Sequence, residues 1–296
     1  MQLRQKIPLA IERYLLNWGI LVLLALLYVP LIVHWCNGWI YKTLSTEHEY
    51  FSHGLIGLPF AIYIAWTQRH RWRKLPDTAH PLGAILLCIG GVFYLSGLPD
   101  FVNLSFPLVL SGLCLWLKGI AGLRLQLFPL LLVLLATPNQ IPYLLAPYTL
   151  PLQAFIAGTA AFILTQFGID VTVNGIYLFV GGRIVEVAPY CAGLKMLFTS
   201  LYVALMLLYW TGMLSSRKKT LVFLISTIAI SVSANIIRNT LLTFFHGSGQ
   251  THLFEWLHEG WGGDLYSASM LGLLVLLSSW MDRIPPGMDR IPPGND

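Results

Sequence analysis

The sequence predicts an all-α polytopic membrane protein, with about eight transmembrane helices, one interfacial or re-entrant helix and a small extracytoplasmic β-meander. Three observations lead there. Hydrophobic residues make up 56% of the chain and charged residues 10%, with a mean hydropathy of +0.69, which leaves too little polar surface to cover a soluble core. Apolar runs near the roughly 20 residues that cross a bilayer core of about 30 Å recur along the chain. The basic residues then gather in alternate gaps between those runs, as the positive-inside pattern requires.

In order, the spans are Leu15 to Trp35, Phe51 to Thr67, Leu82 to Leu98, Phe101 to Leu117, the short Leu125 to Thr137, Ala192 to Gly212, Thr220 to Phe245 and Leu265 to Trp280. The first is too long for a cleavable signal, lacks a small-residue cleavage site and leads straight into further spans. Thr149 to Phe167 is long enough but punctuated by glutamine. It is assigned to the interface or to a re-entrant helix, because an even number of crossings keeps the basic clusters on one side.

With both termini cytoplasmic, 14 of the 18 Lys and Arg residues lie inside, the exceptions being Lys42, Arg183, Lys195 and Arg238. Residues 1–280 form one integral membrane domain. Residues 281–296 carry Met-Asp-Arg-Ile-Pro-Pro-Gly twice in tandem, too proline-rich to pack, and read as a disordered cytoplasmic tail. The outer face collects His34, His48, His53, His246, His252 and His258, with Glu47, Glu49, Asp170, Glu186, Glu255, Glu259 and Asp264. The titratable chemistry is therefore expected outside.

Within residues 171–187, the stretches Val171 to Val173, Ile176 to Val180 and Arg183 to Val187 are β-branched and aromatic, separated by Asn174-Gly175 and Gly181-Gly182. Those dipeptides favour two-residue hairpin turns and predict a three-stranded meander. Pro189 ends strand pairing, and Cys191 is expected in the first turn of the next helix. There the helix dipole lowers a thiol pKa, and Lys195, one turn on, adds a cation. The alternative is an inert small hydrophobe, the reading given to Cys88 and Cys114 inside their spans.

Arg238 lies within an apolar run, where an arginine costs about a few kcal/mol and usually faces a cavity or a partner, unless it snorkels to the headgroups. Asn235 and Asn239 flank it at helical spacing and can share its donors. His258 sits in Leu257-His258-Glu259-Gly260-Trp261-Gly262-Gly263, a glycine-rich loop before the last span. Glu259 or Glu255 can orient its imidazole, and the glycines permit close backbone approach. No G-x-S-x-G, H-E-x-x-H, phosphate loop or dinucleotide fingerprint occurs, and the outer histidines lack zinc spacing. No cofactor, metal or nucleic-acid partner is expected.

Three motifs together resemble the exosortase/archaeosortase family of membrane transpeptidases. They are Val187-Ala188-Pro189-Tyr190-Cys191-Ala192-Gly193-Leu194, then Asn235-Ile236-Ile237-Arg238, then His258 with its following glycines. The order Cys, Arg, His is the family's. Ser52-His53-Gly54, the proline-spaced Thr137 to Pro142, Pro151-Leu152-Gln153 and Phe167-Gly168-Ile169 are similar to further landmarks, so the resemblance covers most of the chain. Ala192 stands where serine is frequent, and an extra tyrosine-proline pair precedes the thiol, variations in the style of a cyanobacterial branch.

The resemblance implies a cysteine protease or transpeptidase of the plasma (inner) membrane that recognises a C-terminal PEP-CTERM-type signal on exported, membrane-tethered proteins. Its partners would be those substrates and the lipid bilayer. Cys191 would attack the scissile carbonyl to give a thioester, His258 would protonate the leaving amine and activate the next nucleophile, and Arg238 would stabilise the oxyanion or hold the substrate. Lys195, Asn235, Asn239 and Glu259 would support them. The acceptor, whether water, glycan or lipid, stays open. The competing readings are a transporter or channel using intramembrane Lys195 and Arg238, and a non-catalytic assembly factor for envelope or exopolysaccharide export.

Overall fold

Apolar runs in lipid have no water to satisfy their backbone amides, and helices close those bonds internally. In the computed structural model, which describes residues 3–41, 50–187, 193–258 and 260–283, the regular elements are accordingly helices, apart from one small sheet. The chain forms two compact units, Met1–Asn139 and Gln140–Asp296.

The first unit holds α1 (Leu3–Tyr41), α2 (Gly54–Thr67), α3 (Arg69–Lys74), α4 (Pro81–Leu95) and α5 (Pro99–Ala136). Small residues let α4 and α5 meet backbone to backbone. A Cβ on Gly83 would stand 2.6 Å from the Trp116 amide nitrogen, and one on Gly112 would stand 3.1 Å from the Gly83 carbonyl oxygen. Two buried polar pairs tie this bundle together. Trp35 donates its indole N–H to Asn103 Oδ1 at 2.8 Å, and the Tyr28 hydroxyl meets Ser105 Oγ at 3.1 Å. Helix α5 bends at Gly119, whose φ is +61°. Beside the bend, Lys118 Nζ donates to Asp77 Oδ1 at 2.6 Å and to the Leu75 carbonyl at 2.8 Å.

The second unit holds α6 (Ile141–Leu145), a 3-10 turn (Ala146–Thr149), α7 (Leu150–Gln166), β1 (Val171–Asn174), β2 (Tyr177–Val180), β3 (Arg183–Glu186), α8 (Leu194–Trp210), α9 (Arg217–Gly247), α10 (Thr251–His258) and α11 (Trp261–Arg283). The strands form an antiparallel meander in the order β1-β2-β3. Its second turn is Gly181-Gly182, both at positive φ, as a type I′ loop needs. Its first turn is shifted by one residue from expectation. Asn174 pairs with Tyr177, so the central residues are Gly175-Ile176, with Gly175 at φ +62°. A glycine leading a two-residue loop is the II′ arrangement, and it lets Asn174 stay in the ladder.

One face of the sheet buries Val171, Leu178 and Val180 against Ile156, Ala157, Ala161 and Leu164 of α7, and Ile236 and Phe244 of α9 pack on that cluster. A second cluster joins Ala204 and Leu208 of α8, Phe223 of α9 and Met281 of α11. There Lys219 Nζ donates to the Met281 carbonyl at 3.3 Å, so the basic start of α9 and the end of α11 are neighbours.

The expected count of about eight transmembrane helices does not hold. Among the described residues five helices are long and apolar enough to cross a membrane: Trp18–Ile40, Pro99–Ala136, Pro147–Gln166, Arg217–Gly247 and Trp261–Arg283. The runs at α2, α4 and α8 fold as helices of 14, 15 and 17 residues. At 1.5 Å rise they reach roughly 21 to 26 Å, short of the hydrocarbon core. Phe101 to Leu117 and Leu125 to Thr137, counted as two spans, both belong to α5. Asp77 and the Leu75 carbonyl take up the Lys118 charge, and Gly119 bends the helix instead of ending it.

Thr149 to Phe167, assigned to an interfacial or re-entrant helix, forms α7 and belongs to one of the five long helices. Its buried Gln153 donates Nε2–H to Thr149 Oγ1 at 2.7 Å, one turn back on its own segment, while its Oε1 is buried without a partner among the described residues. Hydropathy counts apolar residues, whereas prolines, bends and local polar pairing decide where a helix starts and stops.

Candidate active site

Helix α9 organises this region. It packs on both α7 and α8, and Thr227, Ser231, Asn235, Asn239 and Thr243, each four residues after the last, are all buried. Four-residue spacing keeps side chains on one helical face, so this helix turns a narrow polar seam inward. Asn239 donates Nδ2–H to the Asn235 backbone carbonyl at 2.9 Å and to Asn235 Oδ1 at 3.3 Å.

Asn235 in turn lies against Gly193. A Cβ on Gly193 would stand 2.6 Å from Asn235 Cγ and 2.7 Å from its Nδ2, and the glycine has φ +82°. Both the space and the left-handed backbone demand glycine there. Gly193 caps the start of α8, whose first turn carries Lys195. Cys191, two residues before Gly193 in the sequence, and Glu259 lie outside the described residues.

Arg238 reaches from α9 to the end of α10. Its Nη2 donates to the His258 carbonyl at 3.1 Å and to the Leu257 carbonyl at 3.4 Å. A helix leaves its last carbonyls without intrahelical partners, and a cation there also meets the negative end of the dipole. Arg238 therefore caps the helix that ends on His258. The following glycines make room for this contact: a Cβ on Gly263 would stand 2.8 Å from the Leu257 carbonyl oxygen and 3.6 Å from Arg238 Nη2. A side chain at Gly262 would run into the Trp256 ring.

His258 is the last residue of a helix, where a loop position was expected. Its ring stacks on Phe254, one turn earlier, at 5.1 Å and 11°. Phe254 also meets His246, with ring centroids 5.0 Å apart and tilted by 52°. His246, Phe254 and His258 line a cleft of about 120 Å³ with Asn239 of α9 and Val185 and Glu186 of β3. Arg183 Nη1 donates to the His246 carbonyl at 3.0 Å, which ties β3 to the end of α9.

His246 and Glu186 are expected on the outer face from the sequence, but their joining with His258 in one cleft, and the part of Phe254 in it, are not. A signal existed for two of them. His246 follows Asn235 and Asn239 at helical spacing, and Phe254 precedes His258 by one turn. The join to Glu186 runs through the sheet, which local spacing does not report. Among the described residues, no group of three or more His, Cys, Asp or Glu side chains is placed to hold a metal ion.

Chemically, the region offers an imidazole at a cleft, a guanidinium fixed to the helix that carries it, and a buried carboxamide against the residue two beyond the thiol. A family model described as Transmembrane exosortase (Exosortase_EpsH) matches residues 39–275, a stretch that includes all of these groups. No curated protein and no solved structure matches the chain.

Proposed function

The chain belongs to the transmembrane exosortase family, and from that premise we propose a membrane-embedded cysteine peptidase or transpeptidase that cleaves C-terminal sorting signals through a thioester on Cys191. Membership carries the general part: a multi-pass membrane protein of the protein-sorting, transpeptidase type, with cysteine-type activity and membrane-protein substrates. The rest is our reading. The Cys191 thiolate attacks the carbonyl carbon beside a PEP-CTERM-type motif, the carbon–nitrogen bond breaks, and His258 gives a proton to the leaving amine. His258 then takes a proton from water or from an amine on a glycan or lipid, which resolves the thioester. The sequence around the thiol fits a cyanobacterial-type member.

The observation that supports this reading best is that one helix touches both halves of the site. Asn235 of α9 packs on Gly193, two residues after Cys191, and Arg238, one turn further along, holds the carbonyls at His258. One helix thus contacts the residue that follows the nucleophile by two positions and the helix that carries the proton donor, the kind of preorganisation a two-group reaction needs.

Orientation follows from the ends of α9 and α11. Arg217, Lys218 and Lys219 begin α9, and Arg283 ends α11. Arg238 lies 21 residues beyond Arg217, roughly 32 Å along the helix. The positive-inside rule puts the basic ends of α9 and α11 in the cytoplasm and the site on the extracytoplasmic face. A substrate helix in the same bilayer then delivers its motif at high effective concentration.

The test is co-expression with a tagged substrate. Cys191→Ala or Cys191→Ser should leave it uncut, and processing at the wild-type level would reject the thioester. Mass spectrometry of the new C-terminus separates a free carboxylate, the product of water, from an attached glycan or lipid.

A further inference from the structure

Asn235 is 1% exposed, and a carboxamide carries two donor hydrogens and an acceptor oxygen that need partners. Its Oδ1 accepts from Asn239, which fixes which way the amide faces. The nitrogen is thereby turned away, and Nδ2 is buried with no hydrogen-bond partner among the described residues. Arg238 Nε is in the same condition, three residues along the same helix, where side chains are neighbours. Buried donors are rarely left open, and those that are call for an explanation.

The position of Asn235 supplies one. Its Nδ2 lies against Gly193, where the absence of a side chain leaves only backbone beside it. A fixed donor next to a nucleophile-bearing segment is what a developing oxyanion needs. Resting on the reading of Cys191 as nucleophile, we infer that Asn235 is a catalytic residue: its Nδ2–H donates to the carbonyl oxygen of the peptide bond under attack, beside Arg238 Nε. As the sulfur–carbon bond forms, the carbonyl π pair moves onto that oxygen. When the oxygen returns the pair, the carbon–nitrogen bond breaks and the amine leaves with the proton from His258. Asn239 is a positioning residue that keeps Nδ2 turned toward the substrate.

Detergent-solubilised full-length enzyme, a substrate peptide bearing its helix, and iodoacetamide as a small thiol probe test this. Asn235→Ala should lower kcat by about 10² to 10³ while KM and the alkylation rate of Cys191 stay within about twofold. Asn235→Asp should fail similarly, because a carboxylate has no N–H to give. Asn239→Ala should cost about tenfold, less than loss of the donor itself.

A parallel fall in alkylation would mean that Asn235 only places the thiol segment, and wild-type cleavage in Asn235→Ala would remove any role; either overturns the inference. If the Ala and Asp proteins do not elute as wild type, Asn235→Ser is read in the same way: kcat down with alkylation kept supports the inference, and any other pattern overturns it. Failure of the parent reading looks different, since Cys191→Ala would then still process substrate whatever Asn235 does.

Discussion

The α4–α5 bundle and the Asn235–Arg238 stretch of α9 bury the same kinds of polar groups and treat them in opposite ways. In the first, Asn103 accepts from Trp35, Ser105 meets Tyr28, and Lys118 is taken up by Asp77 and a carbonyl. In the second, Asn235 Nδ2 and Arg238 Nε are buried and open among the described residues. A satisfied polar pair holds helices together, whereas a buried open donor costs the fold about 1 to 3 kcal/mol. Single open atoms such as Trp39 Nε1 and Gln153 Oε1 occur elsewhere among the described residues; what sets the α9 stretch apart is two open nitrogen donors three residues apart on one helix.

Four substitutions or conditions sharpen the contrast, the largest effect first. Arg238→Ala should lower kcat/KM in a peptide-cleavage assay by at least about a hundredfold, the scale of one lost oxyanion donor. Arg238→Lys should recover only part, because an ammonium lacks the planar fork; full activity in either variant would make the guanidinium dispensable.

His53 is next. Burial holds its imidazole down at about 4, against a hydrogen bond to the Leu135 carbonyl that acts the other way. Above the ordinary value near 6.5 both folded and unfolded chains carry a neutral ring. As pH falls from there toward 4 the unfolded chain takes up the proton first, so stability drops through that window and levels off below it, by about 3 kcal/mol in all. Thermal melting in detergent at pH 7 and pH 5 should show a loss that His53→Gln abolishes.

Gly112→Val should destabilise the α4–α5 contact by about 1 to 3 kcal/mol, the usual cost of overpacking, without changing the specific activity of protein that remains folded. The smallest effect belongs to Lys118→Ala. Its partner Asp77 is 50% exposed, so the loss should stay under about 1 kcal/mol. A loss several times larger would show that the bend at Gly119 depends on this charge.

Much of this was legible in the sequence, for identifiable reasons. Gly181-Gly182 read as a turn because two adjacent glycines tolerate positive φ at both positions, and the turn lies where expected. Arg238 stood out because an arginine in an apolar run needs a physical reason. The number of long helices was misread because the ends of α2, α4 and α8, the continuity of α5 past Lys118 and the internal pairing of Gln153 depend on contacts that a hydropathy window does not contain. The partners of Arg238 were missed likewise: spacing pointed to Asn235 and Asn239, whereas its Nη2 reaches carbonyls some 20 residues away. Cys191 and Glu259 stand in the sequence alone, outside the described residues.

The Arg238 contact with the end of α10 has a genetic consequence. Removing the guanidinium uncaps the helix on which His258 is mounted, so a change at 238 also degrades whatever 258 contributes. Losses at the two positions should not sum, and the double variant should be barely worse than the poorer single one. In any mutational scan the pair will then behave as one unit of selection, and a second-site suppressor of an Arg238 lesion is to be sought among groups that hold the end of α10.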